Sequence, residues 1–123
     1  MASVTAGETE IGATGEADRL FYRIVKTDPP TVADFLSNAA RGRPLRGPEV
    51  GRPELHTGLS MYDSEVAARA TAGRFPFLGA YLATVRISAD DPVRVEQTLG
   101  EGHYTVWGAP DVLLALVVAV VPV

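Results

Sequence analysis

The sequence predicts an α+β fold, with a small mixed or antiparallel sheet and two helices near the front of the chain. Both segments with helical spacing or composition, 31–40 and 65–72, lie in its first two thirds. Segments typical of strands dominate the rear of the chain, at 80–87 and 103–107. Because strands and helices do not alternate regularly, the pattern does not favour a parallel βαβ array.

Length and composition predict one globular domain. The chain has 123 residues, of which 46% are hydrophobic, and this is enough to bury a core. Residues 1–18 are rich in Gly, Ala, Thr and Glu without periodicity, so they cannot bury enough apolar area to offset the entropy of ordering. We therefore expect a flexible N-terminal tail over 1–18 and a single domain over 19–123.

Charge and residue usage argue against several classes of function. The net charge of −4 argues against nonspecific nucleic-acid binding, which needs a surplus of Lys and Arg. The chain has no Cys and only two His, so neither a disulfide nor a dedicated metal site is expected. The N-terminus lacks a basic start and an apolar run, and the apolar segment 112–121 is too short to cross a membrane. These features predict a cytoplasmic protein with no membrane segment.

The first predicted strand, Leu20–Val25, contains one charge. Its residues are apolar on both faces, as in a central strand, except for Arg23. Arg23 shares its face with Phe21 and Val25. Its guanidinium therefore either reaches an edge of the sheet or lies in a cleft where a ligand or a carboxylate meets it. A structural arginine and a ligand-binding arginine both fit the pattern.

A helix and then a long loop are predicted after the first strand. Thr31 and Asp34 have the spacing of a capping box, and apolar residues recur at helical spacing as far as Ala40. Gly42 is placed to end this helix. The segment 42–53 is so rich in Gly and Pro that it predicts a loop without regular structure. With its arginines, this region is either an anion-facing loop or a solvated one. The arginines are Arg41, Arg43, Arg46 and Arg52.

The stretch 55–72 predicts a strand that turns sharply into a helix. Residues 55–62 mix apolar and hydroxyl side chains, and 65–72 are rich in alanine. Between them, Asp63 and Ser64 can cap the helix. Free backbone amides at a helix N-terminus favour anions and polar ligands, although an ordinary capped helix has the same sequence pattern. The polar residues that this turn brings together are Ser60, Tyr62, Asp63 and Ser64.

The rear of the chain predicts further strands. The segments are 80–87, 103–107 and 112–121, the last being a buried strand or the end of the core. The segment 94–99 is either a helical turn or an edge strand. Phe75 and Phe77 are expected to pack inward around a turn at Pro76, and Gly100 and Gly102 place Glu101 in a flexible link.

This layout resembles the ADP-ribosyltransferase superfamily, including its small bacterial toxin branch with RES-type NAD-degrading domains. The similarity covers 20–123 and is carried by the motifs FYRIV and GLSMYDSEVAARA. In that family a basic residue on the first core strand helps to hold NAD. A second strand with a Ser or Tyr runs into a helix and forms the wall of the nicotinamide pocket. The resemblance implies an ADP-ribosyltransferase-like fold that cleaves the nicotinamide–ribose bond, by transfer or hydrolysis.

The resemblance also implies a set of site residues for NAD as substrate, without a metal. Arg23 would pair with the pyrophosphate or ribose, Ser60 would hydrogen-bond the carboxamide, and Tyr62 would stack on the nicotinamide ring. A later Glu in the family stabilises the positively charged sugar. The strand HYTVW has no Glu, so the nearest candidate is Glu101, just before the strand. His103 titrates near neutrality and is the candidate to replace or assist it.

A second hypothesis is a noncatalytic domain of the same fold. It would bind a protein partner through the arginine-rich loop or an exposed strand edge. A homodimer formed through the apolar C-terminal strand is a third option and is compatible with either hypothesis. The two hypotheses differ in whether the candidate site residues face one pocket. If Arg23, Tyr62 and His103 or Glu101 face one pocket, the enzyme hypothesis gains support.

Overall fold

The structure is a computed structural model that describes residues 18–123. The predicted tail over 1–18 lies outside the described residues, apart from Asp18. Within the described range, no helix is long and apolar enough to cross a lipid bilayer.

One antiparallel sheet organises residues 18–123. Its strands are β1 (Arg19–Val25), β2 (Leu59–Tyr62), β3 (Tyr81–Ile87), β4 (Arg94–Gln97), β5 (His103–Trp107) and β6 (Val117–Pro122). The six strands have the order β4-β5-β2-β1-β3-β6, and every neighbouring pair is antiparallel. Strands β1 and β2 therefore lie at the centre, and β4 and β6 form the edges. The predicted α+β class with an antiparallel sheet is confirmed.

Few helices accompany this sheet, and all are short. In the described part of the chain the α-helices are α1 (Pro48–Gly51), α2 (Glu65–Arg74) and α3 (Pro110–Ala115). Single 3-10 turns occur at Val32–Phe35, Pro53–Thr57 and Pro76–Leu78. Helix α2 is the longest, and it begins where predicted because the Ser64 side chain accepts a hydrogen bond from the Ala67 backbone N–H at 3.1 Å.

The larger core lies on one face of the sheet. Phe21 and Val25 of β1 and Met61 of β2 are fully buried there. Phe35 of the first 3-10 turn and Leu113 of α3 are buried in the same cluster, so these two elements pack against this face of the sheet. Because side chains alternate along a strand, Arg23 lies on this face between two buried neighbours, as the pattern of β1 predicts.

Helix α2 covers the opposite face. Ala68 and Ala72 are buried against Ile24 of β1 and Leu82 of β3. Residues four apart lie on one side of a helix, and their small side chains allow α2 to approach the sheet closely. Tyr62, at the end of β2, packs against the same cluster. The strand, the turn and the helix of 55–72 are thus held together as one unit.

The helix predicted over 31–40 is wrong, although its start is correct. Thr31 and Asp34 form the predicted capping box, but the helix is a 3-10 turn of four residues. Leu36 is already extended, with φ −88° and ψ 130°. Asp34 and Phe35 are buried, and the Asp34 carboxylate accepts a hydrogen bond from the Lys26 backbone N–H at 2.8 Å. These tertiary contacts fix the turn and outweigh the helical periodicity of the following residues.

The segment between Gly42 and β2 also differs from the prediction. Helix α1 and the 3-10 turn at Pro53–Thr57 interrupt the loop that was expected to lack regular structure. Both begin with a proline, whose fixed φ suits the first helical position. The strand predicted from Leu55 begins only at Leu59, because Leu55 belongs to the 3-10 turn and is buried there.

Two further predictions about apolar segments are corrected. The run 112–121 is not one buried strand: its first part lies in α3, which begins with Pro110, and its second part forms the edge strand β6. Leu113 of this run is fully buried in the core, in line with the other alternative. Phe75 and Phe77 do not pack inward, since they are 42% and 73% exposed and contact each other edge to face. In contrast, the strands predicted at 80–87 and 103–107 are confirmed, and 94–99 contains the edge strand β4.

Candidate functional site

A cleft opens where the two central strands separate. The register between β1 and β2 contains one pair, Tyr22 with Tyr62, so the strands diverge toward Val25 and Leu59. The cleft has a volume of about 390 Å³ and is lined by both strands, the segment 36–59 and the 3-10 turn after α2. Small-molecule sites in proteins are typically of this size.

Arg23 spans the gap between the strands. Its Nε donates to the main-chain carbonyl of Asp34 at 3.0 Å, and its Nη1 donates to the main-chain carbonyl of Ser60 at 3.0 Å. Burial, with a smaller contribution from the charge of Arg41, lowers the pKa of Arg23 to about 10, so the guanidinium stays charged at neutral pH. Arg23 therefore holds β2 to the turn after β1, and its charge borders the cleft.

Positive charge dominates the lining of the cleft. The cationic side chains are Arg23, Lys26, Arg41, Arg43 and Arg46. Lys26 and Arg41 are fastened to main-chain carbonyls, Lys26 Nζ to that of Phe77 at 2.7 Å and Arg41 Nη2 to that of Ala33. In the described residues, the side chains of Arg43 and Arg46 make no hydrogen bond or ion pair. Their charges are available to a ligand.

Of the side chains lining the cleft within residues 18–123, one carries a carboxylate, Glu49. Asn38 Nδ2 donates to it at 2.9 Å, the Arg46 backbone N–H donates at 3.1 Å, and His56 Nδ1 lies 3.1 Å away. Burial acts to raise the pKa of Glu49, but these hydrogen bonds together outweigh it and hold the pKa below its usual value. Glu49 thus orders the wall formed by α1.

Ser60 and His103 form a hydrogen-bonded pair beside the cleft. His103 lies on β5, opposite Tyr62 of β2, and β2 separates it from β1. Its Nε2 lies 3.0 Å from Ser60 Oγ, and its Nδ1 lies 3.0 Å from the main-chain carbonyl of Thr98. Burial lowers the pKa of His103, only partly opposed by the Thr98 carbonyl, so the imidazole is neutral at pH 7.

Tyr62 lies between this pair and α2. Its ring contacts the His103 ring edge to face, with centroids 5.4 Å apart and an interplanar angle of 82°. Tyr62 also lines the cleft and is half-buried. An aromatic side chain is therefore present where the cleft meets Ser60 and His103.

The predicted site residues separate into two groups. Arg23, Ser60 and Tyr62 line one cleft. His103 is not among the described lining residues, but it adjoins the cleft through its hydrogen bond to Ser60 and its ring contact with Tyr62. Glu101 is exposed in the turn between β4 and β5 and is not among the described residues that line the cleft. Strand β5 begins at His103, so Glu101 lies outside the strand and shares no strand face with His103. Gly100 and Gly102, with φ 109° and 81°, form the tight turn that carries Glu101 outward.

Sequence reasoning missed three contributors, namely Lys26, Glu49 and Thr98. Lys26 is the single lysine of the chain and directly follows β1, which is a signal that the sequence did contain. Glu49 and Thr98 had no comparable signal because their roles depend on contacts with His56 and His103. Residues 18–123 contain no group of three or more His, Asp or Glu side chains placed to hold a metal ion.

Comparisons with protein-family models, with curated proteins and with solved structures give no match for this chain.

Proposed function

We propose that this chain has an ADP-ribosyltransferase-like fold, binds NAD in the cleft between β1 and β2, and cleaves the nicotinamide–ribose bond. The observation that carries the proposal is that Arg23, Ser60 and Tyr62 line one cationic cleft, with His103 directly behind Ser60 and Tyr62. Arg23 on the first strand, and Ser60 and Tyr62 on a second strand that runs into α2, match what the resemblance implies.

The cationic wall suits the pyrophosphate of a dinucleotide. Guanidinium groups bind phosphate oxygens in a bidentate manner, and such charge-assisted hydrogen bonds are about twice as strong as neutral ones. Arg43 and Arg46 line the cleft without side-chain partners in the described residues, whereas Arg23 is already bonded to two carbonyls. We therefore assign phosphate binding mainly to Arg43 and Arg46, and assign Arg23 to the ribose or the pyrophosphate beside Ser60.

The nicotinamide end of the ligand is assigned to the region of β2 and β5. Tyr62 offers a ring for stacking, and the Ser60 hydroxyl lies beside it in the cleft. Cleavage leaves positive charge on the sugar, and His103, which is neutral before the reaction, adds no opposing charge at that stage. It can then accept the proton of the hydroxyl group that attacks the sugar. The resemblance gives Glu101 the role of stabilising the sugar, but Glu101 is exposed and outside the described lining of the cleft, so its substitution tests whether it takes part at all.

Binding is tested by thermal unfolding with NAD, ADP-ribose and adenosine. Saturation at about 100 times Kd adds about 2.7 kcal/mol to the free energy of unfolding and raises Tm by several degrees. NAD and ADP-ribose are expected to stabilise the protein more than adenosine, which lacks phosphate. The Arg43→Gln, Arg46→Gln double variant should lose most of this difference. Arg86→Gln, which changes an exposed arginine on β3 away from the cleft, is the matched control.

Catalysis is tested by nicotinamide release from NAD. His103→Ala is expected to slow release by about 100-fold, as for loss of a general base. Tyr62→Ala should chiefly raise the NAD concentration needed for half-maximal rate. Glu101→Gln decides whether the exposed carboxylate takes part. If the folded wild-type protein binds NAD and releases no nicotinamide, it is a noncatalytic NAD-binding domain, and if it binds no NAD the enzyme hypothesis is wrong.

A noncatalytic interaction domain is the second candidate, because β6 leaves an apolar edge of the sheet open. Val118 and Val121 are 49% and 41% exposed, and β6 has one partner strand, β3, among the described residues. An exposed apolar edge pairs readily with another strand. Sedimentation velocity at increasing concentration tests self-association, and Val118→Lys should abolish it if β6 pairs with a second copy.

A further inference from the structure

The hydrogen bonds around His103 determine which ring nitrogen carries the proton. Two atoms of Thr98 lie near His103 Nδ1, the main-chain carbonyl oxygen at 3.0 Å and Oγ1 at 3.1 Å. The carbonyl only accepts hydrogen bonds, and the Thr98 hydroxyl can give its proton to Thr105 Oγ1 at 2.6 Å, so we assign the proton to Nδ1. In the neutral imidazole, Nε2 then has the free lone pair. Ser60 Oγ, 3.0 Å from Nε2, must therefore donate its hydroxyl proton to His103. The Ser60 hydroxyl, the His103 base and the Thr98 carbonyl that orients it are thus connected by consecutive hydrogen bonds.

The surroundings keep this pair accessible and oriented. Ser60 is exposed and lines the cleft, and within residues 18–123 its hydroxyl has one partner, His103. The imidazole is held by Thr98 on one side and by the Tyr62 ring on another. Ser37 lines the same cleft, but its Oγ accepts from the Ala40 backbone N–H at 3.1 Å and has no histidine beside it. Ser37 is therefore an internal comparison for reactivity.

The carboxylates near the cleft are not placed to take part at Ser60. Glu49 is engaged by Asn38, His56 and the Arg46 backbone. Glu101 is exposed in the turn outside the described lining of the cleft. A nucleophile activated by a neutral base is thus the group that this cleft offers to an electrophilic carbon.

We infer that Ser60 is a nucleophile activated by His103, and that it takes the ADP-ribosyl group covalently before water releases it. This inference rests on the proposed function. Ser60 Oγ bonds to C1′ of the nicotinamide ribose as the bond between C1′ and the nicotinamide nitrogen breaks. The electron pair of that bond stays with nicotinamide. The Ser60 proton passes to His103 Nε2. Water then bonds to C1′, its proton leaves to solvent, and His103 returns a proton to the departing Ser60 oxygen.

The experiment uses the full chain with two probes. NAD labelled in its adenylate part is mixed with the protein and quenched in acid at short times, and the adduct is located by tandem mass spectrometry. An alkyl fluorophosphonate, which esterifies activated serines with loss of fluoride, reports on Ser60 without requiring NAD. Both probes are expected to mark Ser60 and to leave Ser37 unmarked. Ser60→Ala should abolish both marks, and His103→Gln should slow them by about 100-fold.

The outcomes separate this inference from the proposed function. Nicotinamide release without a mark from either probe on Ser60 overturns the nucleophile and leaves the proposed function standing. Fluorophosphonate labelling of Ser60 that depends on His103, in a protein that binds no NAD, establishes the activated serine and shows that its substrate is another electrophile. Marks that persist in a folded Ser60→Ala protein, checked by its melting curve, overturn the inference.

Discussion

Asp34 connects three parts of the structure around the cleft. Its carboxylate is buried and accepts hydrogen bonds from the backbone N–H groups of Lys26 at 2.8 Å and Thr31 at 3.0 Å. Its main-chain carbonyl accepts from Arg23 Nε. A buried carboxylate is stable only when such donors satisfy it, so Asp34 fixes the end of β1 and the position of Arg23 together.

Asp34→Ala is expected to lower the free energy of unfolding by about 2–3 kcal/mol, because two partly buried hydrogen bonds from backbone N–H groups lose their acceptor. Chemical denaturation monitored by tryptophan fluorescence measures the change, since Trp107 is the single Trp of the chain. Asp90→Ala is the matched control, because Asp90 is exposed and surface changes of this kind stay within about 0.5 kcal/mol. Equal loss in the two variants would show that the Asp34 hydrogen bonds do not stabilise the fold.

His103 makes stability depend on pH. Burial lowers its pKa in the folded protein below the usual value near 6.5, so the unfolded chain binds the proton more tightly. The resulting stability is complete above about pH 6.5 and is lost as the pH falls toward the folded pKa. Between about pH 7.5 and 5.5, the wild-type protein should lose more stability than His103→Gln. The other titrating groups are common to both proteins, so their contributions cancel in this comparison. If the free energy of unfolding changed equally with pH in both proteins, the lowered pKa of His103 would be contradicted.

The segment formed by 42–53 is the element most exposed to solvent beside the cleft. Helix α1 has no buried residue, and Arg52 is tied at the surface to Glu54 and Glu96 at 2.8 and 3.0 Å. Exposed ion pairs of this kind contribute little to stability. We therefore expect this wall to open locally while the sheet stays intact.

Limited trypsin digestion tests this opening. The bonds after Arg43 and Arg52 precede prolines and resist trypsin, so the first cut is expected after Arg46, ahead of Arg86 in β3. Because Arg46 lines the cleft, saturating NAD should slow that cut severalfold, whereas adenosine should slow it less. An early cut at Arg86 with the Arg46 bond protected would show that the loop is firmly packed.

Charge is distributed unevenly over the protein. The chain carries a net charge of −4, yet among residues 18–123 five cationic side chains and one carboxylate line the cleft. A concave site of one sign concentrates its field, so an anionic ligand is attracted locally by a protein that is acidic overall. The acidic total therefore gave no indication of the positive charge that lines this cleft.

The affinity for NAD is expected to fall with salt. The Debye length shortens from about 10 Å at 0.1 M to about 3 Å at 1 M, which screens the cationic wall from the ligand phosphates. Calorimetric titration should show Kd rising about three- to tenfold over this range. Adenosine, which carries no phosphate, serves as the control and should bind with little salt dependence. A salt-independent Kd for NAD would remove the phosphate assignment of Arg43 and Arg46.

The sequence by itself determined the local elements. Apolar, β-branched and aromatic runs identified β1 and β3, alternation identified β5, and the capping residues located the start of α2. These features depend only on neighbours within one turn or one strand. The tertiary structure decided the rest. Burial of Asp34 and Phe35 ended a helix that periodicity favoured, and strand order placed His103 beside Ser60, 43 residues earlier. Partners so far apart in sequence leave no local pattern, so only the folded sheet brings the candidate site together.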